Sequence, residues 1–110
     1  MKKIICMCLI ILGCSDDIAP TVEITYPSDN DTAFGIITVT INADDDIELD
    51  RVGLFIDSEI LEYSYGDYTS HSFIIDTDYF ENRIHTIYAK AYDVADNYKN
   101  SEVIEVTFLN

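Results

Sequence analysis

The stretch from Ile84 to Asn97 constrains the fold most. Its odd-numbered positions are mostly small or apolar: His85, Ile87, Ala89, Ala91 and Asp93. Its even-numbered positions are polar or aromatic: Thr86, Tyr88, Lys90 and Tyr92. Because side chains on a strand alternate between two faces, this pattern predicts a strand with one buried face that runs into an Asp/Asn turn.

Six further segments alternate in the same way and would pack against that buried face. Their apolar positions lie at 22–26, 37–43, 52–56, 60–63, 71–75 and 104–108. Turn residues such as Pro27 to Asp31, Asp57-Ser58 and Ser64 to Asp67 separate them, and no segment has a sustained helical period. The spacing of turns predicts an all-β chain, an immunoglobulin-like β-sandwich of about seven antiparallel strands. Leu49 and Ile47, in an acidic loop, could close one end of its core.

The first residues have the features of a bacterial lipoprotein signal peptide. Lys2 and Lys3 precede the apolar run Ile4 to Leu12, which is too short to span a bilayer. The run ends in Ile11-Leu12-Gly13-Cys14, which resembles a lipobox. We therefore expect a signal peptide over 1–13, lipid on Cys14, an acidic tether over 14–19 and a folded domain over 20–110. The alternative is that Cys14 is an incidental thiol beside an ordinary cleavage site.

Lipid on Cys14 would anchor the domain to a membrane, which predicts a cell-envelope location at the outer membrane, with exposure at the cell surface. Ser15-Asp16-Asp17 resembles the acidic tag of surface-exposed lipoproteins in Bacteroidetes-type bacteria. The alternative is that these residues are only a solvated linker. All three cysteines lie at or before Cys14, so the folded domain holds no disulfide and depends on its hydrophobic core.

The charge of the chain excludes one class of partner. Twenty-one acidic residues face six basic ones, a formal net charge of −15 at pH 7. Such a field repels nucleic acid and attracts cations, so we expect no binding to DNA or RNA.

From Pro20 to Leu109 the chain resembles a bacterial Ig-like domain of surface and secreted proteins. The resemblance rests on the order of several pieces: Pro20 to Pro27, Ala43 to Ile47, Val52 to Asp57, Ser72-Phe73 before Asp76, and His85 to Asp93 before Asn97. One position departs from the pattern, because Asp96 stands where the family commonly has glycine. The resemblance implies a spacer or binding module without catalytic residues.

One end of the predicted sandwich gathers acidic residues. An Ig-like meander brings the Asp44 to Asp50 loop, the Ser64 to Tyr68 turn and the Asp93 to Asn97 turn together, near the N-terminus. Carboxylate and amide oxygens are ligands that calcium prefers, which makes five residues candidate ligands: Asp45, Asp46, Asp93, Asp96 and Asn97. No loop matches an EF-hand, and the alternative is that these are solvated turns. Calcium is the one cofactor that these residues predict.

Aromatic residues occupy outward positions on strands that should be adjacent. Phe55, Tyr63, Tyr88 and Tyr92 could form one exposed face that binds polysaccharide or a protein, since rings bury large area at low entropic cost. The alternative is that tyrosine occurs there only because it is a good strand former.

Nothing in the chain indicates catalysis. His71 and His85 have inward parity and are expected to be structural, with His85 bonding the backbone of a corner. There is no recognisable nucleophile setting, phosphate loop or Cys/His metal spacing, so we expect no enzyme. The favoured hypothesis is an adhesion or binding module on the cell surface. The alternatives are a passive spacer or envelope lipoprotein and, without specific support, a lipid-anchored inhibitor.

Overall fold

The computed structural model describes residues 18–110, so the predicted signal peptide over 1–13 and Cys14 lie outside the described part. Nine strands make up the fold: β1 Thr21–Tyr26, β2 Asp31–Ala33, β3 Ile36–Asp44, β4 Leu49–Ile56, β5 Glu59–Tyr65, β6 Ser70–Asp76, β7 Arg83–Asp93, β8 Tyr98–Asn100 and β9 Ile104–Phe108. A 3₁₀ turn spans Thr77–Tyr79. Among these residues no helix is long and apolar enough to cross a membrane.

The strands form two sheets, which confirms the all-β, Ig-like sandwich. The smaller sheet has the order β1-β3-β6, and the larger has the order β2-β9-β7-β4-β5, with β8 paired to β7 as well. All neighbours are antiparallel except β2 and β9, which are parallel. The seven predicted strands are all present. β2 and β8 are additional, and neither three-residue strand has an alternating pattern that a sequence could reveal.

The core lies between the sheets, on the faces that alternation predicted. Ile87, Ala89 and Ala91 of β7 are fully buried, as are residues of the facing sheet such as Val39 and Ile41. A buried aliphatic side chain contributes roughly 1.5–3 kcal/mol relative to exposure, so this core is the main stabilising element. Leu49 is also fully buried, which confirms that it closes one end.

Three loops meet at that end, as the sequence predicted. The amide of Leu49 donates to the carboxylate of Asp67 over 3.0 Å. The amide of Val94 donates to the carbonyl of Glu48, and that of Gly66 to the carbonyl of Asp50. We call this region the acidic end.

The opposite end contains the β4–β5 hairpin and the corner before β7. Asp57 and Ser58 form the hairpin turn, with φ of 53° and 69°. Two successive residues with positive φ are typical of the tight turns whose twist matches that of paired strands. This turn brings β5 back along β4 and places the outward residues of β5 beside those of β4 and β7.

Candidate functional site

The outward positions of β5, β4, β7 and β8 form three rows across the exterior of the larger sheet. The first row contains Ile60, Phe55 and Tyr88. The second contains Tyr63, Gly53, Lys90 and Asn100. The third contains Tyr65, Arg51, Tyr92 and Tyr98. We call these eleven positions the aromatic face. It includes all four residues predicted as a binding surface.

The rings of the aromatic face contact one another. Phe55 and Tyr88 are parallel, with an interplanar angle of 4° and centroids 4.7 Å apart. Tyr63 meets Tyr92 edge to face at 6.3 Å. Because one side of each stacked ring is covered by its neighbour, the surface is a packed array of half-buried rings. Only Tyr65 and Tyr98, at the two ends of the third row, are more than half exposed.

Two cations are part of this array. The guanidinium of Arg51 lies 3.7 Å from the ring centroid of Tyr92 and 5.4 Å from that of Tyr63. The ammonium of Lys90 lies 4.1 Å from the centroid of Tyr98 and 5.3 Å from that of Tyr92. At these distances the negative face of each ring attracts the cation. Four residues of this array, Arg51, Lys90, Tyr65 and Tyr98, were not among the predicted binding residues, and strand register is what relates them.

Gly53 makes room at the centre of the face. A Cβ at this position would lie 2.9 Å from Cε1 of Tyr63 and 3.2 Å from Cδ1 of Ile60. Real side chains do not approach so closely, so Tyr63 can lie over the strand only because residue 53 has no side chain. The glycine is therefore part of the aromatic face.

The exterior of the smaller sheet differs in composition. Its register places hydroxyl and amide side chains outward, including Thr38, Thr40, Asn42 and Ser72. A single ring, Tyr26, lies at the end of the edge strand β1. Threonine and tyrosine are both good strand formers, so strand formation alone does not account for five tyrosines on one exterior and one on the other.

The acidic candidates are organised mainly by turn hydrogen bonds. The carboxylate of Asp93, which is buried, accepts from the amides of Ala95 and Asn97 at 2.9 Å and from Nδ2 of Asn97 at 3.0 Å. Asp96 adopts a φ of 70°, so this turn keeps a left-handed residue although glycine is replaced. Asp93 and Asn97 therefore shape the turn that connects β7 to β8.

Asp45 has a similar role in the neighbouring loop. Its buried carboxylate accepts from the amides of Ile47 and Glu48, each at 3.1 Å. Burial raises the pKa of Asp45, the two amides oppose this, and the nearby charge of Asp93 raises it again. The structure thus brings Asp45 and Asp93 together, while Asp46 and Asp96 are exposed.

Within residues 18–110, no group of three or more His, Cys, Asp or Glu side chains is arranged to hold a metal ion. Calcium binding at the acidic end remains a prediction from the sequence.

A family comparison identifies the fold. The model of the bacterial Ig domain matches residues 20–89, more than half of the chain. The chain belongs to the bacterial Ig domain family. A search of curated proteins finds no match.

Solved structures share the architecture of this bacterial Ig domain. The endo-beta-1,4-mannanase of Thermotoga petrophila is similar over 86% of this chain, with a TM-score of 0.72 and 14% identity. The fibronectin(III)-like modules of Clostridium thermocellum CbhA are similar over 80% of this chain and 95% of theirs, with a TM-score of 0.62 and 20% identity.

A lytic polysaccharide monooxygenase of Jonesia denitrificans is also similar, over 77% of this chain and 60% of its own, with a TM-score of 0.56 and 13% identity. This chain spans about a fifth of the mannanase, 21% of its length. At these identities the likeness concerns the fold.

Proposed function

We propose that this bacterial Ig domain is a non-catalytic, lipid-anchored module of the cell envelope that binds polysaccharide through its aromatic face. The observation that carries the proposal is the segregation of side chains between the two exteriors. Five tyrosines, one phenylalanine and two cations occupy the exterior of the larger sheet, whereas hydroxyl and amide side chains dominate the other.

The chemistry of the face suits sugars. Each tyrosine combines an apolar ring with a hydroxyl that donates and accepts hydrogen bonds. Within residues 18–110, no recorded hydrogen bond involves the phenolic oxygens of these five tyrosines. The face therefore offers apolar contact and unused hydrogen-bonding groups together, which a polyhydroxylated ligand can match.

Two further considerations agree with the proposal. The similar mannanase and polysaccharide monooxygenase are named for action on polysaccharides, so sandwiches of this shape occur in chains of that kind. The anchor rests on the residues Ile11 to Cys14, which lie outside the described part. Lipid at Cys14 would hold the domain at a membrane surface, where the domain would bind polysaccharide.

The test removes the two most exposed rings. Tyr65→Ala with Tyr98→Ala deletes rings that are 66% and 53% exposed, so folding should be little affected. The matched control, Tyr26→Ala with Tyr79→Ala, deletes two exposed rings outside the aromatic face. The probes are neutral mannan, polygalacturonate and alginate, first on an array and then by calorimetry. We expect the wild type to bind at least one polymer and the face variant to bind it at least tenfold more weakly.

Several results would contradict the proposed binding of polysaccharide by the aromatic face. Binding that survives in the face variant, or falls equally in the control, would place the site elsewhere. Absence of binding to every polymer would favour the passive spacer, and capture of a protein partner by the same face would replace polysaccharide as the ligand.

A further inference from the structure

We infer that the aromatic face is built for an anionic polysaccharide, whose sugar carboxylates bind at Lys90 with Arg51 beside it. This inference rests on the proposed function and adds the charge class of the ligand. It follows from which charged groups the face contains and which it excludes.

Carboxylates are absent from the aromatic face although the chain is rich in them. Acidic residues account for 21 of the 110 positions, yet none of the eleven positions of the face is Asp or Glu. The exterior of the smaller sheet has Glu23, Asp44 and Asp76 at outward positions. On the larger sheet an outward carboxylate, Glu105, lies on β9 opposite Thr86, outside the three rows. An acidic group on the aromatic face would repel an anionic ligand, so a face without carboxylates suits such a ligand.

Lys90 has the properties of an anion-binding group. Its ammonium is held by the rings of Tyr98 and Tyr92, and no carboxylate among residues 18–110 forms an ion pair with it. By contrast, Arg51 pairs with Asp50 and Arg83 with Asp57 and Glu81. Ring faces position a cation without neutralising it and leave its N–H groups able to donate to a ligand.

The neighbours of Lys90 complete the site. Asn100 lies directly across from it on β8, and Gly53 lies across on β4, so no bulky side chain separates Lys90 from Tyr63 along the row. Nη1 of Arg51 donates to the carboxylate of Asp50 over 2.8 Å, and the remaining N–H groups of the guanidinium can donate to a second anionic group.

The net charge of −15 opposes binding of any polyanion, as it does nucleic acid, so an anionic polysaccharide would depend on local attraction at the aromatic face. At an ionic strength of about 0.15 M, charges separated by more than ~8 Å are largely screened from each other. Asp50 pairs with Arg51 over 2.8 Å, inside that range, and offsets its charge, so a carboxylate on the face is attracted mainly by Lys90. The surrounding acidic surface acts mainly by disfavouring other docking positions for a polyanion.

The test compares Lys90→Gln with Lys99→Gln. Both substitutions remove one positive charge from adjacent strands, but Lys99 is exposed and lies outside the three rows. The probes are polygalacturonate and the same polymer with its carboxylates methyl-esterified, measured by calorimetry, with melting temperatures checked for both variants. We expect the wild type to bind the acid form at least tenfold more tightly than the ester. Lys90→Gln should remove most of that preference, and Lys99→Gln should change affinity less than twofold.

Two results would overturn the inference while leaving the proposed function in place. The first is equal affinity for the acid and the ester, or for neutral mannan alone, with binding still lost in the Tyr65/Tyr98 variant. The second is an equal effect of the two lysine substitutions. Absence of binding to every polymer would overturn both proposals together.

Discussion

Two histidines, His85 and His71, are buried at opposite ends of the sandwich, and their ring nitrogens have different neighbours. At the hairpin end, Nδ1 of His85 lies 2.7 Å from the carboxylate of Asp57, and Nε2 lies 2.7 Å from the carbonyl of Glu81. At the acidic end, Nδ1 of His71 lies 2.8 Å from the hydroxyl of Ser64, and Nε2 lies 2.9 Å from the carbonyl of Tyr68. Both side chains are inward-facing and almost fully buried.

The neighbours of the two rings differ in hydrogen-bonding character. The ring of His85 lies between a carboxylate oxygen and a carbonyl oxygen. The hydroxyl of Ser64 can donate to Nδ1 of His71, so the neutral ring satisfies both of its bonds. Burial lowers the pKa of His71, against the opposing effect of its bond to Tyr68. Two histidines with the same parity therefore have different partners, a carboxylate at the hairpin end and a hydroxyl at the acidic end.

The pKa of Asp57 reflects its contacts with His85 and the neighbouring groups. Burial alone would raise its pKa, but the hydrogen bond from His85, the amide of Thr86 and the charge of Arg83 together lower it. The bond from His85 to the carbonyl of Glu81 also confirms the expectation that His85 holds a corner of the backbone. The hairpin end is thus stabilised by a charged cluster.

The largest expected effect comes from removing the charge of that cluster. Asp57→Asn keeps the shape and tolerates the positive φ, but it leaves the ring of His85 without its carboxylate. A broken buried pair costs roughly 3–5 kcal/mol, and because Asp57 is about a third exposed we expect a loss of about 1–3 kcal/mol in urea unfolding. Glu59→Gln, an exposed carboxylate two residues on, is the control. Equal stability of the two variants would contradict a charged hairpin end.

A smaller effect, on the pH dependence of stability, should distinguish the two ends of the sandwich. The folded-state pKa of His71 is lowered, so its contribution to stability is present above the unfolded value of about 6.5 and is lost as pH falls through 6.5 toward the folded value. We expect the wild type to lose about 1 kcal/mol relative to His71→Gln between pH 7.5 and 5.5, measured as the difference between their unfolding free energies. Asp57 should contribute no change over this range, because a lowered folded-state pKa keeps its contribution to stability until the pH falls below its unfolded value of about 4. Parallel stability curves would show that His71 is not held neutral.

The smallest effect concerns calcium at the acidic end. The carboxylates of Asp45 and Asp93 already accept five hydrogen bonds between them, which an ion would have to replace. We therefore expect calcium to raise the melting temperature by no more than about 2 °C over sodium chloride of equal ionic strength. A specific site saturated at a hundredfold over its dissociation constant would contribute roughly 2.7 kcal/mol and shift the midpoint by about 10 °C, and such a shift would confirm the calcium site predicted from the sequence.

Alternation in the sequence was enough to predict the core, and an Ig-like order of the strands was needed to predict that the acidic loops meet. It identified the buried sides of β7 and β4 because period two is a property of every strand. It did not identify what lies across from a residue on the next strand, since that depends on register. Tyr98 joins the aromatic face through β8, whose three residues are all exposed, and a bulge between Leu54 and Phe55 brings Ile60 opposite Phe55.

The histidines show the same limit within the core. Parity predicted that both would be inward, but it could not predict their side-chain partners Asp57 and Ser64, which are 28 and 7 residues away in sequence. Partners at such distances become visible only when the strands are paired.

The parallel pairing of β2 with β9 has a mechanical consequence. The two strands lie in the first and last parts of the domain and run in the same direction, with three residue pairs in register. Hydrogen bonds from Asn30 to Glu105 and from Leu109 to Ala33 flank these pairs. Tension applied between the two ends of the domain would pull the strands past each other and load these bonds together in shear. A domain tethered at one end and pulled at the other would resist through this short seam before its core is exposed.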